Sequence, residues 1–327
     1  MKSIFVTGGT GFIGSHTCLL LLEKGYVVFI LDSFVNSSEK SIERVSLILK
    51  KKGIDSRDKI YLVKGDIKNS FDIERVFQLS MTLKKRIESV IHFAGFKSVS
   101  DSVKSPLSYW ENNITGTINL LKIMNKYNCR NIVFSSSATV YKFQSQKLLC
   151  ENDICEPLNP YGNTKYTIER ILKDIFISQK PSLWRIAILR YFNPVGAHES
   201  ALIGENPLDR PNNIYPRITQ VAIGKLKEIK IYGSDWPTPD GTGIRDYIHV
   251  VDLAEAHLAA LRYLLREKPQ ILTLNLGTGE GTSVLELIRI FEKINNVEIP
   301  FSFDERRSGD NAFVVADNSL ARSILEW

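Results

Sequence analysis

Tyr161 and Lys165 place a phenol and an ammonium group four residues apart at the start of a predicted helix. This spacing brings both side chains to one face of the helix. A tyrosine hydroxyl has an ordinary pKa of about 10 and is protonated at neutral pH. A nearby cation favours the phenolate, so the pattern predicts a general base, Tyr161, with Lys165 as its partner. On its own the pattern is weak, because many helices carry such a pair on their surface.

Ser137 lies 24 residues before Tyr161, in a run of three serines that ends a predicted strand. A hydroxyl at this point could share the reacting oxygen of a substrate with Tyr161. The alternative is that these serines form a turn or a helix cap. Because the serines and the Tyr–Lys pair follow the nucleotide-binding pattern described next, we favour the catalytic interpretation.

Gly8, Gly11 and Gly14 follow the first predicted strand with the spacing G-x-x-G-x-x-G and precede an apolar helix. Without a Cβ, such a turn lets backbone N–H groups approach a pyrophosphate at the helix N-terminus. Asp32, at the end of the second predicted strand, is placed to accept hydrogen bonds from ribose hydroxyls and to repel a 2′-phosphate. Residues 33–39 contain no Lys or Arg, so NAD is favoured over NADP. The alternative is a packing turn beside a solvated aspartate.

Two further predicted strand ends support a nucleotide site. Asp66 and Ile67 follow the third strand, where they could flank an adenine ring, and Phe93, Ala94 and Gly95 follow the fourth, where small residues suit a backbone running along a cofactor. Each could be ordinary loop sequence. Together, at consecutive carboxyl ends of parallel strands, they indicate the ligand crevice of the sheet.

Alternation of short apolar runs with amphipathic stretches predicts the elements that position these residues. We therefore expect a Rossmann-like, doubly wound parallel α/β sheet over residues 1–190 and a smaller mixed α/β substrate-binding domain over 191–327, interleaved near the cleft. The predicted strands cover 3–7, 26–31, 60–64, 90–93, 131–135, 185–189, 229–232, 273–276 and 299–303, and the predicted helices 12–24, 38–52, 71–79, 106–127, 163–179, 218–226, 251–265 and 284–294.

Composition excludes several classes of protein. The chain has 327 residues, a formal net charge of +6, 43% hydrophobic residues and 24% charged residues, which is unlike a disordered or collagenous chain. No apolar run approaches the ~20 residues of a membrane-spanning helix. The four cysteines show no C-x-x-C spacing and so no zinc pattern, and the basic runs are typical of solvated faces. We therefore expect a cytoplasmic protein with no metal, membrane or nucleic-acid partner.

Longer strings carry a resemblance to a known family. Alongside the glycine pattern, Asp32, the serines and the Tyr–Lys pair, the chain contains HFAG at 92–95, FSSSATVY at 134–141, LRYFNPVGAH at 189–198 and DGTGIRDYIHV at 240–250. It thus resembles the UDP-glucose 4-epimerase family of the extended short-chain dehydrogenase/reductase superfamily, over nearly its whole length. The resemblance implies tightly bound NAD, a UDP-sugar substrate and a homodimer that pairs the helices predicted at 106–127 and 163–179.

The resemblance also implies roles for individual residues. Tyr161 would be the base at the sugar O4, Lys165 would lower its pKa, and Ser137 would assist. The cofactor contacts implied are Gly8, Gly11, Phe12, Ile13, Gly14, Asp32, Ser33, Phe34, Val35, Asn36, Ser37, Asp66, Ile67, Phe93, Ala94, Gly95, Lys97, Asn112, Tyr161, Lys165 and Phe192. The substrate contacts implied are Ser137, Tyr161, Asn193, Asn213, Arg245, Arg307, Asp310 and Val314.

The reaction so implied transfers a hydride from sugar C4 to NAD, turns the 4-ketose over and returns the hydride to its other face. The small Val314 suggests that N-acetylated UDP-hexoses are also accepted. Rival functions are a UDP-glucuronate-type epimerase, a 4,6-dehydratase and a non-catalytic NAD-binding protein. The dehydratase is disfavoured because Ser137, Ala138 and Thr139 offer no carboxylate where that family has Thr-Asp-Glu.

Overall fold

A computed structural model describes residues 2–142, 147–178, 182–207, 213–307 and 310–327. Its centre is a seven-stranded parallel sheet in the order β11–β6–β5–β4–β1–β2–β3. The strands are β1 Ser3–Thr7, β2 Val27–Asp32, β3 Ile60–Lys64, β4 Ile87–His92, β5 Asn131–Ser137, β6 Arg185–Tyr191, β7 Asn193–Val195, β8 Ile229–Tyr232, β9 Ile244–Arg245, β10 Tyr247–His249, β11 Ile271–Leu276, β12 Thr282–Ser283, β13 Phe301–Asp304 and β14 Phe313–Val314.

Helices cover both faces of this sheet, as its continuous apolar strands require. Ile4 and Val6 of β1 belong to one apolar cluster, and Phe5, between them, belongs to another, since successive strand residues point to opposite faces. The helices are α1 Phe12–Glu23, α2 Lys40–Lys51, α3 Ser70–Thr82, α4 Val99–Lys104, α5 Pro106–Tyr109, α6 Gly116–Lys126, α7 Pro160–Ser178, α8 Ile214–Ala222, α9 Val250–Arg266, α10 Val284–Asn295 and α11 Ser319–Leu325.

The strand order creates a switch point between β1 and β4. From β1 the chain builds outwards through β2 and β3, and then returns to add β4 on the opposite side of β1. In open α/β sheets the connections diverge at such a point and leave a ligand crevice at the carboxyl ends of the strands. The predicted doubly wound fold is thus confirmed, and the crevice lies where the glycine turn and Phe93–Gly95 meet.

The chain returns to this sheet after residue 190. β11 pairs with β6 in parallel, and α9 packs against α1 over one face of the sheet. The predicted domains therefore share the sheet. The rest of the second region contains the short pairs β7–β10 and β8–β13, the three-stranded sheet β12–β9–β14, and α8 and α10, with a separate apolar cluster that includes Ile218, Ile229 and Ile288.

The segment predicted as one helix over 106–127 is helical from 106 to 126, but it is not a regular α-helix throughout. The structure breaks it into α5, a π-helical turn over Trp110–Thr115, and α6. The wider turn brings the side chains of Asn112 and Asn113 into the interior. Periodicity could not show this, because the apolar spacing of α5 and α6 remains helical. Of the other elements, α7 ends at Ser178, and Gln179, the last residue of its predicted span, lies outside the described residues.

Among the described residues, none of the helices has the length and apolarity needed to cross a bilayer. The same residues contain no group of three or more His, Cys, Asp or Glu side chains that could hold a metal ion.

Candidate active site

The glycine turn between β1 and α1 lies directly on the end of β4. Gly8 has a φ of +69°, and a Cβ on it would lie 2.7 Å from the backbone nitrogen of Ala94. A Cβ on Gly14 would overlap the carbonyl oxygen of Gly8. α1 begins at Phe12, followed by Ile13, and its N-cap, Gly11, makes no side-chain capping bond. The first N–H groups of α1 therefore face the crevice with no side chain above them, as a pyrophosphate site requires.

Asp32 holds the loop that follows β2 against this turn. One carboxylate oxygen accepts from the backbone N–H of Thr10 at 3.0 Å, and the other accepts from the N–H of Phe34 at 3.0 Å and the hydroxyl of Ser37 at 2.9 Å. Phe34 has a φ of 59°. The side chain is buried at the edge of the crevice, where its charge excludes a 2′-phosphate. Ser33, Val35 and Asn36 are the remaining residues of this loop.

The strand ends beyond the turn complete the predicted cofactor wall. Asp66 accepts from the backbone N–H of Lys68 at 2.8 Å, and Ile67 is buried beneath Gly116 of α6. Phe93 packs its ring 4.8 Å from that of His257. Of the other predicted contacts, Ala94, Gly95 and Lys97 follow β4, Asn112 is buried in the π-helical turn, and Phe192 is buried in a small apolar cluster with Val314.

These residues fit a dinucleotide. The observation that decides this is the cradle formed by Gly8 and Gly14, which a Cβ would fill, beside a carboxylate anchored at the end of β2. Backbone N–H groups at the start of α1 would bind the pyrophosphate, and Asp32 would bind the ribose.

Gly14→Ala tests this cradle. Because the added Cβ overlaps backbone, we expect a cost of roughly 1–3 kcal/mol and a clear drop in NAD bound per purified chain, measured after acid release. Gly25→Ala is the matched control: its Cβ meets nothing within 4 Å, but its φ of +82° also costs stability, about 1–2 kcal/mol. Equal NAD content in the two variants would contradict the assigned cradle.

The predicted Tyr–Lys pair lies at the carboxyl end of β5. Tyr161 is in the first turn of α7, and Lys165, one turn later, has its ammonium 5.9 Å from the centre of the Tyr161 ring. Lys165 donates to the carbonyl oxygen of Ser135 at 2.6 Å. Ser137 ends β5, hydrogen bonds with Tyr161 and also accepts from the hydroxyl of Thr139 at 2.9 Å. The structure thus brings together the three residues predicted for catalysis.

Burial controls the charge of both groups. It raises the pKa of Tyr161 to about 12, and the hydrogen bond with Ser137 offsets only part of this rise. Burial lowers the pKa of Lys165 to about 8, while the carboxylate of Glu169 acts in the opposite direction. A buried phenol beside a buried ammonium gains from becoming a phenolate, since the pair then neutralises itself. Lys165 thus lies where its ammonium would favour the phenolate form of Tyr161.

Two polar networks hold α7 in place. Asn113 donates to the hydroxyl of Thr164 at 3.0 Å and accepts from the backbone N–H of Phe96 at 2.8 Å, so it joins α7 to the loop after β4. Below Lys165, Glu169 forms a buried ion pair with Arg190 at 2.6 Å. Sequence reasoning missed Asn113 because its role depends on the π-helical turn.

Apart from Ser137 and Tyr161, the predicted substrate residues lie on the second region of the chain. Arg245 of β9 pairs with the carboxylate of Asp310 and donates to the carbonyl oxygen of Asn311 at 2.8 Å. Val314 of β14 is the register partner of Arg245. Arg307 lies 3.7 Å above the centre of the Tyr232 ring. Arg245, Asp310 and Val314 are thus adjacent. The carbonyl oxygen of Arg307 accepts from the N–H of Asp310 at 3.1 Å, but its side chain lies by β8. Asn193 begins β7, and Asn213 precedes α8.

The fold, the dinucleotide cradle and the Tyr–Lys pair are those of an NAD-dependent enzyme that acts on a carbon bearing a hydroxyl group. The chain belongs to the NAD dependent epimerase/dehydratase family, whose model matches residues 4–277. NAD is therefore its cofactor, as predicted.

Several known proteins match this chain over almost its whole length. The chain is 46% identical over 325 residues to the UDP-glucose 4-epimerase of Bacillus subtilis (strain 168), covering 99% of this chain and 91% of that one. It is 47% identical over 328 residues to the bifunctional UDP-glucose 4-epimerase and UDP-xylose 4-epimerase 1 of Pisum sativum, covering 100% and 91%. The solved UDP-glucose 4-epimerase of Bifidobacterium longum, in complex with NAD+ and UDP, is similar with a TM-score of 0.91 and 44% identity, covering 100% of this chain and 93% of that one. The predicted resemblance is confirmed.

Proposed function

We propose that this chain is a UDP-glucose 4-epimerase that interconverts UDP-galactose and UDP-glucose. The observation that carries the proposal is the meeting of Tyr161, Lys165 and Ser137 at the carboxyl end of β5, beside the dinucleotide cradle. The names of its full-length relatives agree with this reaction.

Each catalytic side chain has one task. Tyr161 removes the proton from the sugar O4 hydroxyl and later returns it, and Ser137 shares that oxygen by a hydrogen bond. Lys165 stabilises the phenolate of Tyr161. NAD, held by the glycine turn and Asp32, would supply the hydride acceptor for C4 and the hydride donor for the 4-ketose.

Epimerisation requires that the sugar turn over while the nucleotide stays fixed. Arg245 and Asp310 form a charged pair suited to holding the diphosphate and a ribose hydroxyl, because a guanidinium binds phosphate oxygens in a bidentate manner. Arg307, Asn193 and Asn213 complete the proposed anchor. An anchor that binds only the nucleotide would keep UDP fixed while the hexose turns over.

Proton NMR of UDP-galactose incubated with purified protein, with no added cofactor, tests the proposal. Growth of the UDP-glucose anomeric signal is the expected result, and it would also show that NAD travels with the protein. No change after NAD is added would contradict the reaction. UDP-glucuronate and UDP-xylose then become the next substrates, whereas release of water from the hexose would indicate a 4,6-dehydratase. NAD binding with no turnover of any of these would indicate a non-catalytic NAD-binding protein.

A second activity, on N-acetylated UDP-hexoses, is favoured by the surroundings of Val314. This side chain packs in one small apolar cluster with Ala138, beside the end of β5, and with Phe192. A small residue here leaves room for a group on sugar C2.

Val314→Tyr tests this second activity. We expect turnover of UDP-N-acetylgalactosamine to fall by about 10–100-fold relative to UDP-galactose, since the larger ring fills the space for the acetamide. Both substrates are followed by proton NMR, and Ile223→Tyr, at an exposed position, is the control. The idea fails if the wild type turns over UDP-galactose but not the N-acetylated sugar.

We also propose a homodimer formed through α5, α6 and α7, and a cytoplasmic location. Support for the dimer comes from the exposed apolar side chains of Leu107 on α5 and Ile177 on α7, which a second copy would cover. Sedimentation velocity at micromolar concentration would distinguish a monomer of 37.1 kDa from a species of twice that mass.

A further inference from the structure

Glu205 connects the two sides of the cleft. Its side chain is only 8% exposed, although it lies in a loop. One carboxylate oxygen accepts from the ammonium of Lys97 at 3.0 Å and from the side-chain amide of Asn213 at 2.6 Å. Lys97 lies in the loop after β4, beside the predicted cofactor contacts. Asn213, a predicted substrate contact, immediately precedes α8. No sequence pattern indicated Glu205, because it lies in an irregular stretch with no periodicity.

Backbone hydrogen bonds hold the segment that precedes Glu205. Ala197 and Gly204 form an antiparallel bridge, and the N–H of His198 donates to the carbonyl oxygen of Ile203 at 3.1 Å. Ile203 is buried in the large apolar cluster beneath the sheet. The carboxylate is thus presented by a closed hairpin that is anchored in the core.

The side chain of Asn213 makes this contact in place of a helix-capping hydrogen bond. It occupies the N-cap position of α8, where an asparagine side chain usually accepts from a backbone N–H of the first turn. Here the side chain makes no capping bond, and its amide points to Glu205 instead. The start of α8 is therefore tied to the carboxylate.

We propose that Glu205 is a positioning residue for nucleotide-sugar binding. It holds the side chains of Lys97 and Asn213 in one arrangement, so that both are ordered when UDP binds. This role rests on the proposed function. Lys97 is 56% exposed, and without Glu205 its long side chain would sample many rotamers that binding must then restrict. In this role Glu205 acts through Lys97 and Asn213, not by binding substrate or cofactor itself.

Calorimetric titration of the NAD-loaded protein with UDP tests this role without requiring turnover. In Glu205→Gln, which keeps the size of the side chain but removes its charge, we expect the Kd for UDP to rise about tenfold. With UDP-galactose, KM should rise similarly while kcat stays within about twofold, because the residues at C4 are untouched. Glu199→Gln is the matched control, on the same hairpin but 81% exposed. Equal Kd values in the two variants would overturn the proposal.

A double-mutant cycle separates positioning from a general structural effect. If Glu205 acts through Lys97, the variant carrying both Lys97→Gln and Glu205→Gln should bind UDP little more weakly than Lys97→Gln alone. Fully additive losses would contradict positioning. A wild type that binds UDP and shows this coupling, yet does not epimerise UDP-galactose, would contradict the proposed reaction and support the role of Glu205.

Discussion

Tyr161→Phe is expected to lower kcat for UDP-galactose by about 10²–10⁴-fold, the usual effect of removing a positioned acid–base group. The variant loses the Tyr161 hydroxyl, which hydrogen bonds with Ser137, and keeps the ring whose centre lies 5.9 Å from the Lys165 ammonium. Since the ring remains, the packing of α7 and the NAD content should not change. Proton NMR gives the rate, and acid release of NAD gives the occupancy.

Tyr166→Phe provides the control for this variant. Tyr166 lies on the same helix but packs against the apolar cluster around Val140 and Leu149. It should retain turnover close to that of the wild type. A rate for Tyr161→Phe within tenfold of the wild type, with NAD still bound, would show that another group takes the proton from O4.

Arg190→Met is expected to lower the free energy of unfolding by about 3–5 kcal/mol, measured by chemical denaturation. The side chains of Arg190 and Glu169 are 2% and 0% exposed, and their charges are 2.6 Å apart. Removing the arginine leaves the Glu169 carboxylate buried without its ion-pair partner; among the described residues its remaining side-chain hydrogen bond is from the hydroxyl of Ser136 at 2.5 Å. The variant also loses the contact between the guanidinium and the Tyr141 ring, whose centre lies 4.7 Å away.

Two further variants decide whether the unpaired charge causes this loss. The double variant Glu169→Leu with Arg190→Met should recover much of the stability, because no charge remains buried. Arg57→Met breaks an exposed pair, with Arg57 89% exposed, and should leave the unfolding free energy close to that of the wild type. If Arg190→Met cost no more than Arg57→Met, the buried pair would contribute little.

Sequence reasoning succeeded where function depends on local spacing. The glycine turn, Asp32 and the Tyr–Lys pair are short patterns whose geometry follows from one turn or one helix, and the structure places them around one crevice. Strand–helix alternation likewise predicted the parallel sheet, because buried parallel strands are apolar along their whole length.

The remaining features depend on packing between distant segments. The π-helical turn is supported by Asn113 contacts with Phe96 and Thr164, which no periodicity reveals. The role proposed for Glu205 depends on its contacts with residues 97 and 213, which are far from it in the sequence or outside any periodic pattern. Arg245 was predicted from resemblance alone, and its pairing with Asp310 requires β9 and β14 to be neighbours.

β11 lies about 80 residues after β6, the strand with which it pairs, so β6 is synthesised long before its partner. β6 stays at the edge of the growing sheet until residues 271–276 have left the ribosome, so its unpaired backbone groups are available to other chains while more than 80 residues are added. α9 (Val250–Arg266), which covers one face of β5 and β6, also appears in this interval. The nascent first half of the protein is therefore most exposed to aggregation just after its catalytic helix has been made.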